Sequence, residues 1–177
     1  NVLLGQTVEG INSLNVSTDK VDFEFEYDQS YLKVKLKGLD VKKLNSSSSS
    51  SQIKVTAINP IVSGIILHKA YFVELPANFS YTGIKRQMKF DSQYVKSISK
   101  LSFYKCSDYD TAQDVCNGEW TKVSSNVNSA DSLVWANINS FSAYLLGEPG
   151  SSTTTTTTMT TPVTTSAISF LLSSRSS

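Results

Sequence analysis

His68 is the sole histidine of the chain, so any Ser-His-Asp or Cys-His mechanism must use it as the base. It stands between Leu67 and Lys69, and no nucleophile-elbow sequence occurs anywhere, so it reads as a structural or surface residue. Fifteen Asp and Glu could in principle supply the carboxylate pair of a glycoside hydrolase, but none of them has a distinctive setting. Glycine-rich phosphate loops are absent, and one histidine with two cysteines excludes a multi-ligand Cys/His zinc site. These residues point away from an enzyme, and no cofactor is expected.

Two features could bind rather than react. Asp108, Asp110 and Asp114 lie together and could offer oxygens to Ca²⁺, although the central Gly and terminal Glu of an EF-hand are missing. The other reading is a solvated acidic loop. Trp120 and Trp135, with Tyr104, Tyr109 and Tyr144, could form a sugar-stacking platform, while their period-two placement favours core positions. Cys106 and Cys116 flank the acidic loop, ten positions apart. If the strands beside them are neighbours, a bridge would staple the loop and contribute roughly 3 kcal/mol in the loop-entropy model. Two buried unpaired thiols are the alternative. Asn15, Asn45 and Asn78 each head an Asn-X-Ser/Thr triplet, and with an even cysteine count they favour an exported, glycosylated protein.

Composition sets the limits. The chain has 177 residues, 40% apolar and only 18% charged, with a net charge of +1. The length suits one domain with an appendage, and the charge balance argues against a nucleic-acid partner, which needs a concentrated basic excess. No run approaches the roughly 20 apolar residues of a membrane span, so membrane attachment would require a segment beyond this sequence. The chain opens at Asn1 without a signal sequence and reads as a processed product or a fragment.

The elements that would position these residues are strands. Val21-Asp22-Phe23-Glu24-Phe25-Glu26-Tyr27-Asp28 alternates an apolar with an acidic face, and Tyr31-Leu32-Lys33-Val34-Lys35-Leu36-Lys37 alternates an apolar with a basic one. Folded about Gln29-Ser30, the two predict Tyr27 opposite Leu32, Phe25 opposite Val34 and Phe23 opposite Leu36. On the charged side Glu26 meets Lys33, Glu24 meets Lys35 and Asp22 meets Lys37. A loop from Asp28 to Tyr31 suits this register better than a two-residue turn. Further strands are predicted at Ile53–Ala57, Ala70–Leu75, Ile84–Phe90, Leu101–Lys105, Glu119–Val123, Leu133–Ile138 and Phe141–Leu146. Within Ile84–Phe90 the pattern sets Ile84, Arg86, Met88 and Phe90 on one face. One helical turn is expected at Ser92–Ser99 with Asp91 as its cap. The sum is an all-β, antiparallel, immunoglobulin-like β-sandwich over residues 1–146.

After Leu146 the composition breaks. Gly147-Glu148-Pro149-Gly150 reads as punctuation, and 18 of the 27 residues from Ser151 to Ser177 are Ser or Thr. Residues 147–177 are therefore expected to form a boundary and a disordered tail, either an O-glycosylated stalk or a plain linker.

Phe103-Tyr104-Lys105-Cys106-Ser107-Asp108-Tyr109-Asp110, followed by Cys116-Asn117-Gly118-Glu119-Trp120, resembles modules repeated in archaeal cell-surface and S-layer-like proteins. Asn139-Ser140-Phe141-Ser142-Ala143-Tyr144 and Ala70-Tyr71-Phe72-Val73-Glu74-Leu75-Pro76 fit the same pattern, so the resemblance covers about Ala70 to Leu146. It implies a non-catalytic extracellular module at the cell surface, structural or adhesive, partnered by other surface proteins or by glycans. A carbohydrate-binding module and an accessory domain of a larger secreted hydrolase are the alternatives.

Overall fold

The computed structural model describes residues 2–4, 20–45, 51–77, 79–150 and 165–170. Fourteen strands lie among them: β1 Val2–Leu4, β2 Lys20–Tyr27, β3 Leu32–Asp40, β4 Ser51–Ala57, β5 Ile65–Glu74, β6 Gly83–Lys89, β7 Ser102–Cys106, β8 Tyr109–Asp110, β9 Val115–Cys116, β10 Thr121–Val123, β11 Asn126–Asn128, β12 Leu133–Ile138, β13 Ala143–Pro149 and β14 Thr165–Phe170. A single α-helix, α1 (Val41–Asn45), follows β3. Every pairing is antiparallel, in a seven-stranded sheet ordered β1-β14-β4-β5-β13-β7-β10, a five-stranded sheet ordered β11-β12-β6-β3-β2, and the ribbon β8-β9. The all-β sandwich expected from the alternation is the fold observed.

The main core lies between the sheets. Phe25, Leu32, Val34, Leu36, Ile84, Met88, Val134 and Ala136 come from the five-stranded side, and Ile53, Val55, Tyr71, Val73, Phe103, Tyr144 and Leu146 from the other. Alternation puts the next residues of β5, β7 and β13 on the opposite face of the seven-stranded sheet. There Ala70, Tyr104, Cys106, Ala143 and Leu145 join Ile58 in a second, smaller core. Burial on both faces explains why β13 carries an unbroken apolar start, Ala143 to Leu146, instead of alternating.

The β2–β3 hairpin has the predicted register from Phe23↔Leu36 to Tyr27↔Leu32. Asp22 departs from it. A bulge between Val21 and Phe23 shifts the remaining pairs to Val21↔Leu39 and Lys20↔Asp40. Asp22 Oδ1 instead accepts from the N–H of Gly38 at 3.1 Å, and its other oxygen lies 3.3 Å from Lys35 Nζ. Gly38 has φ +59, and an added Cβ would sit 2.6 Å from Thr82 Oγ1, so both backbone hand and space demand glycine there. Asp28, Gln29 and Ser30 all adopt positive φ (55, 52 and 66), a costly run for residues with a Cβ. The Tyr31 N–H to Asp28 carbonyl bond closes the turn at 2.9 Å.

Other expectations need adjustment. The helical turn at Ser92–Ser99 is two 3₁₀ turns, Ser92–Tyr94 and Ile98–Lys100; Asp91 caps the first by accepting from Gln93 N–H. The boundary placed at Gly147 falls inside β13, which continues to Pro149. Gly147 is a bulge residue and not a terminator: the register shifts between Leu146 and Gly147, and a Cβ there would lie 2.6 Å from Ile65 Cγ2 and 2.8 Å from the Ile66 carbonyl. Part of the expected tail is also strand. β14 pairs with β4 from Thr165↔Thr56 to Phe170↔Ser51 and with β1 on its other side. Its Thr and Ile favour extended backbone, and its register sets Ile168 opposite Ile53. Residues 151–164 and 171–177, where the rest of the tail expectation falls, lie outside the described residues, as do Asn15 and Asn78; Asn45 is the last residue of α1.

Candidate functional site

The outward side of the five-stranded sheet gathers the exposed chemistry. Strand alternation puts Asp22, Glu24 and Glu26 there from β2, Lys33, Lys35 and Lys37 from β3, and Lys85, Gln87 and Lys89 from β6. Leu133, Trp135 and Asn137 come from β12, and Asn126 and Asn128 from β11. The registers arrange them in rows. Glu26, Lys33, Gln87, Trp135 and Asn126 form one, and Glu24, Lys35, Lys85 and Asn137 the next. Lys33 Nζ reaches Glu26 at 2.8 Å and Glu24 at 3.4 Å. The Lys33 bond, then the Ser30 hydroxyl, holds the Glu26 carboxyl below the usual glutamate range, and Glu26 correspondingly raises Lys33. Asp22 is lowered chiefly by the Gly38 N–H, then by Lys35.

Trp135 belongs to neither core. Its neighbours Val134 and Ala136 are fully buried, so alternation turns the indole outward, with Lys85 Nζ 4.5 Å from the ring centroid. The core position favoured for Trp135 by periodicity is thus corrected. Period two fixes only that alternate residues share a face, not which face is inner. Trp120 does pack into the second core, edge-on to Tyr109 with centroids 6.0 Å apart, while Tyr109 stacks on Phe72. Tyr104 joins the same core and Tyr144 the main one, so the five aromatics do not share one platform.

The loop from Ser107 to Trp120 lies over the outer face of the seven-stranded sheet. Cys106 and Cys116 are joined in a disulfide with Cα atoms 6.0 Å apart, and the strands beside them, β7 and β10, are neighbours as expected. The acidic residues of the loop are engaged separately. Asp110 Oδ1 accepts from the N–H groups of Ala112 and Gln113, and Asp114 accepts from the Tyr109 hydroxyl and from Asn59 N–H. Burial first, then Asp114, pushes the Tyr109 hydroxyl well above its ordinary value. Asp108 is exposed. Of the two readings of Asp108, Asp110 and Asp114, the calcium one gains no support: among the described residues no three His, Cys, Asp or Glu side chains gather where they could hold a metal ion. The three are close in sequence, but Asp110 serves two turn N–H groups and Asp114 serves Tyr109 and Asn59. Beside the loop a cleft of about 500 Å³ is lined by Phe72, Glu74, Tyr81, Asp108, Tyr109 and Phe141.

His68 lies on β5 with its Nε2 3.3 Å from Glu148 Oε1. Glu148, 1% exposed, also accepts from Lys96 N–H at 2.8 Å and Ser97 N–H at 2.7 Å. Burial raises its carboxyl, but the two N–H bonds and His68 outweigh that and leave it below the usual glutamate value. Glu148 thereby ties β13 to β5 and to the segment that crosses from β6 to β7. Sequence reading missed it, because Gly-Glu-Pro-Gly carries the marks of a turn.

Arg86 is the other unforeseen group. It occupies the inner face its strand pattern assigned, fully buried, donating from Nη2 to the Tyr71 carbonyl at 3.0 Å with its Cζ 4.7 Å from the Tyr144 ring centre. Among the described residues its Nε and Nη1 find no hydrogen-bond acceptor. Burial lowers the guanidinium to about 10. No helix among the described residues is long and apolar enough to cross a membrane. No family model, curated protein or solved structure matches the chain.

Proposed function

We propose that the chain is an exported, non-catalytic module of a cell surface, with a structural and adhesive role. The observation that carries this reading is the Cys106–Cys116 disulfide, which clamps the loop covering the second core. Such a bond persists in oxidising surroundings and is rare in the reducing cytosol of most cells. The resemblance of residues Ala70–Leu146 to archaeal surface modules supports the same compartment. His68 and Glu148 support a structural role for the groups best suited to acid–base work, since Glu148 serves two backbone N–H groups and the histidine ring together. A carbohydrate-binding role is the second reading, and the outward Trp135 favours it.

The test is made on intact source cells with a membrane-impermeant amine label, followed by thiol alkylation. The reading expects labelled lysines and two cysteines that alkylate only after reduction. Unlabelled protein with free thiols would reject it.

A further inference from the structure

We propose that the outward side of the five-stranded sheet binds an acidic polysaccharide, with Trp135 stacking on a sugar ring and Lys85, Lys89 and Lys37 meeting its carboxylate or sulfate groups. The inference deepens the adhesive half of the surface-module reading and rests on it.

Three observations converge on this face. Trp135 is a large aromatic on the outward side of the sheet, half-buried and outside both cores. Gln87 and Asn126 stand directly beside it across the strands, and Asn137 is two positions along β12. Their amides both donate and accept, which is what sugar hydroxyls require. The third observation is charge. Six lysines, Lys20, Lys33, Lys35, Lys37, Lys85 and Lys89, face four carboxylates, three on β2 and Asp40 opposite Lys20. The β2 carboxylates take Lys33 and Lys35; among the described residues Lys37, Lys85 and Lys89 have no carboxylate within ion-pair distance. Lys35 and Lys85 are direct cross-strand partners, an unfavourable pair of like charges that a bound anion would relieve.

The Lys85 ammonium now covers one face of the indole. A sugar stacking on that face would displace the ammonium onto its own acidic group, so the lysine exchanges a cation–π contact for an ion pair. A single stacking ring amid amides suits a pyranose chain better than a nucleic acid, which uses successive aromatic platforms.

The experiment titrates the full chain with polygalacturonate, alginate, hyaluronate and dextran sulfate, with fully methyl-esterified polygalacturonate as an uncharged control. Binding to at least one acidic polymer is expected, weakening as salt is raised. If polygalacturonate binds, its esterified form should bind about tenfold more weakly or not at all. Trp135→Ala and Lys85→Gln should each weaken binding about tenfold with the melting temperature retained, and Lys100→Gln, outside this face, should change nothing. No binding to any of the four polymers, wild-type affinity in folded Trp135→Ala, or equal affinity for single-stranded DNA or phosphatidylglycerol vesicles would overturn the proposal. Surface labelling with no polysaccharide binding defeats this inference alone; binding by a chain confined to the cell interior defeats the compartment reading alone.

Discussion

Tyr71, in the seven-stranded sheet, donates its hydroxyl to Asp28 Oδ2 at 2.5 Å, and Asp28 opens the turn that joins β2 to β3 in the other sheet. Lys69 Nζ lies 3.5 Å from the same oxygen. One sheet thus pins the strained turn of its opposite. Burial first, then Asp28, pushes the Tyr71 hydroxyl far above its ordinary value, so it stays protonated as a donor.

Removing that hydroxyl should therefore loosen the turn. Tyr71→Phe is expected to lower stability by about 1–2 kcal/mol in urea unfolding, the cost of a lost bond to a charged acceptor. Gln29→Gly, at a position with φ 52 and an exposed side chain, should stabilise by about 1 kcal/mol through relief of left-handed strain. An unchanged midpoint in both variants would remove the strain argument.

Glu148 sets an acid limit. A carboxyl held below its unfolded value contributes stability that is complete above about 4.5 and is lost as pH falls through the folded value. Asp22 and Glu26 shift in the same direction, but both are exposed and contribute little. Glu148→Gln should cost about 1–3 kcal/mol at neutral pH and make stability less steep with pH below 4.5. Urea midpoints measured across that range check the slope.

Arg86 invites the opposite outcome. A buried guanidinium with two nitrogens that lack an acceptor among the described residues is costly, so Arg86→Met should be neutral or stabilising, by up to about 1–4 kcal/mol. Arg86→Ala instead leaves a void between Tyr71 and Tyr144 and should destabilise by about 2–5 kcal/mol. A large loss in the Met variant, measured by thermal and chemical unfolding, would mean that the charge itself holds the sheets in register.

The bridge can be assessed directly. Replacing Cys106 and Cys116 together with Ala should cost about 3 kcal/mol, with the greatest gain in hydrogen exchange over residues 107–120. Gly147→Ala offers a comparison elsewhere in the sheet, since its Cβ would strike Ile65 and the Ile66 carbonyl, whereas Gly118→Ala meets nothing within 4 Å and should be silent.

The hairpin was legible because two independent patterns agreed, apolar against apolar and acid against base, and a slip of one residue would have spoiled both. For Arg86 only the shared face with Ile84, Met88 and Phe90 was legible, from alternation alone, and nothing local announced its full burial or its ring partner. Glu148 and His68 lie 80 positions apart, and no local signal joins them. The outward turn of Trp135 was hidden by the symmetry of alternation. β14 was hidden by composition: serine and threonine dominate its surroundings, and backbone pairing with β4 is indifferent to that.

That pairing changes what the threonine-rich stretch can do. β13, which ends at Pro149, and β14, which begins at Thr165, lie in the same sheet with two strands, β5 and β4, between them. A pole that lifted its cargo away from an envelope could not count the six paired residues of β14 in its length. Thr165–Phe170 therefore belongs to the folded body and adds nothing to the reach of a spacer.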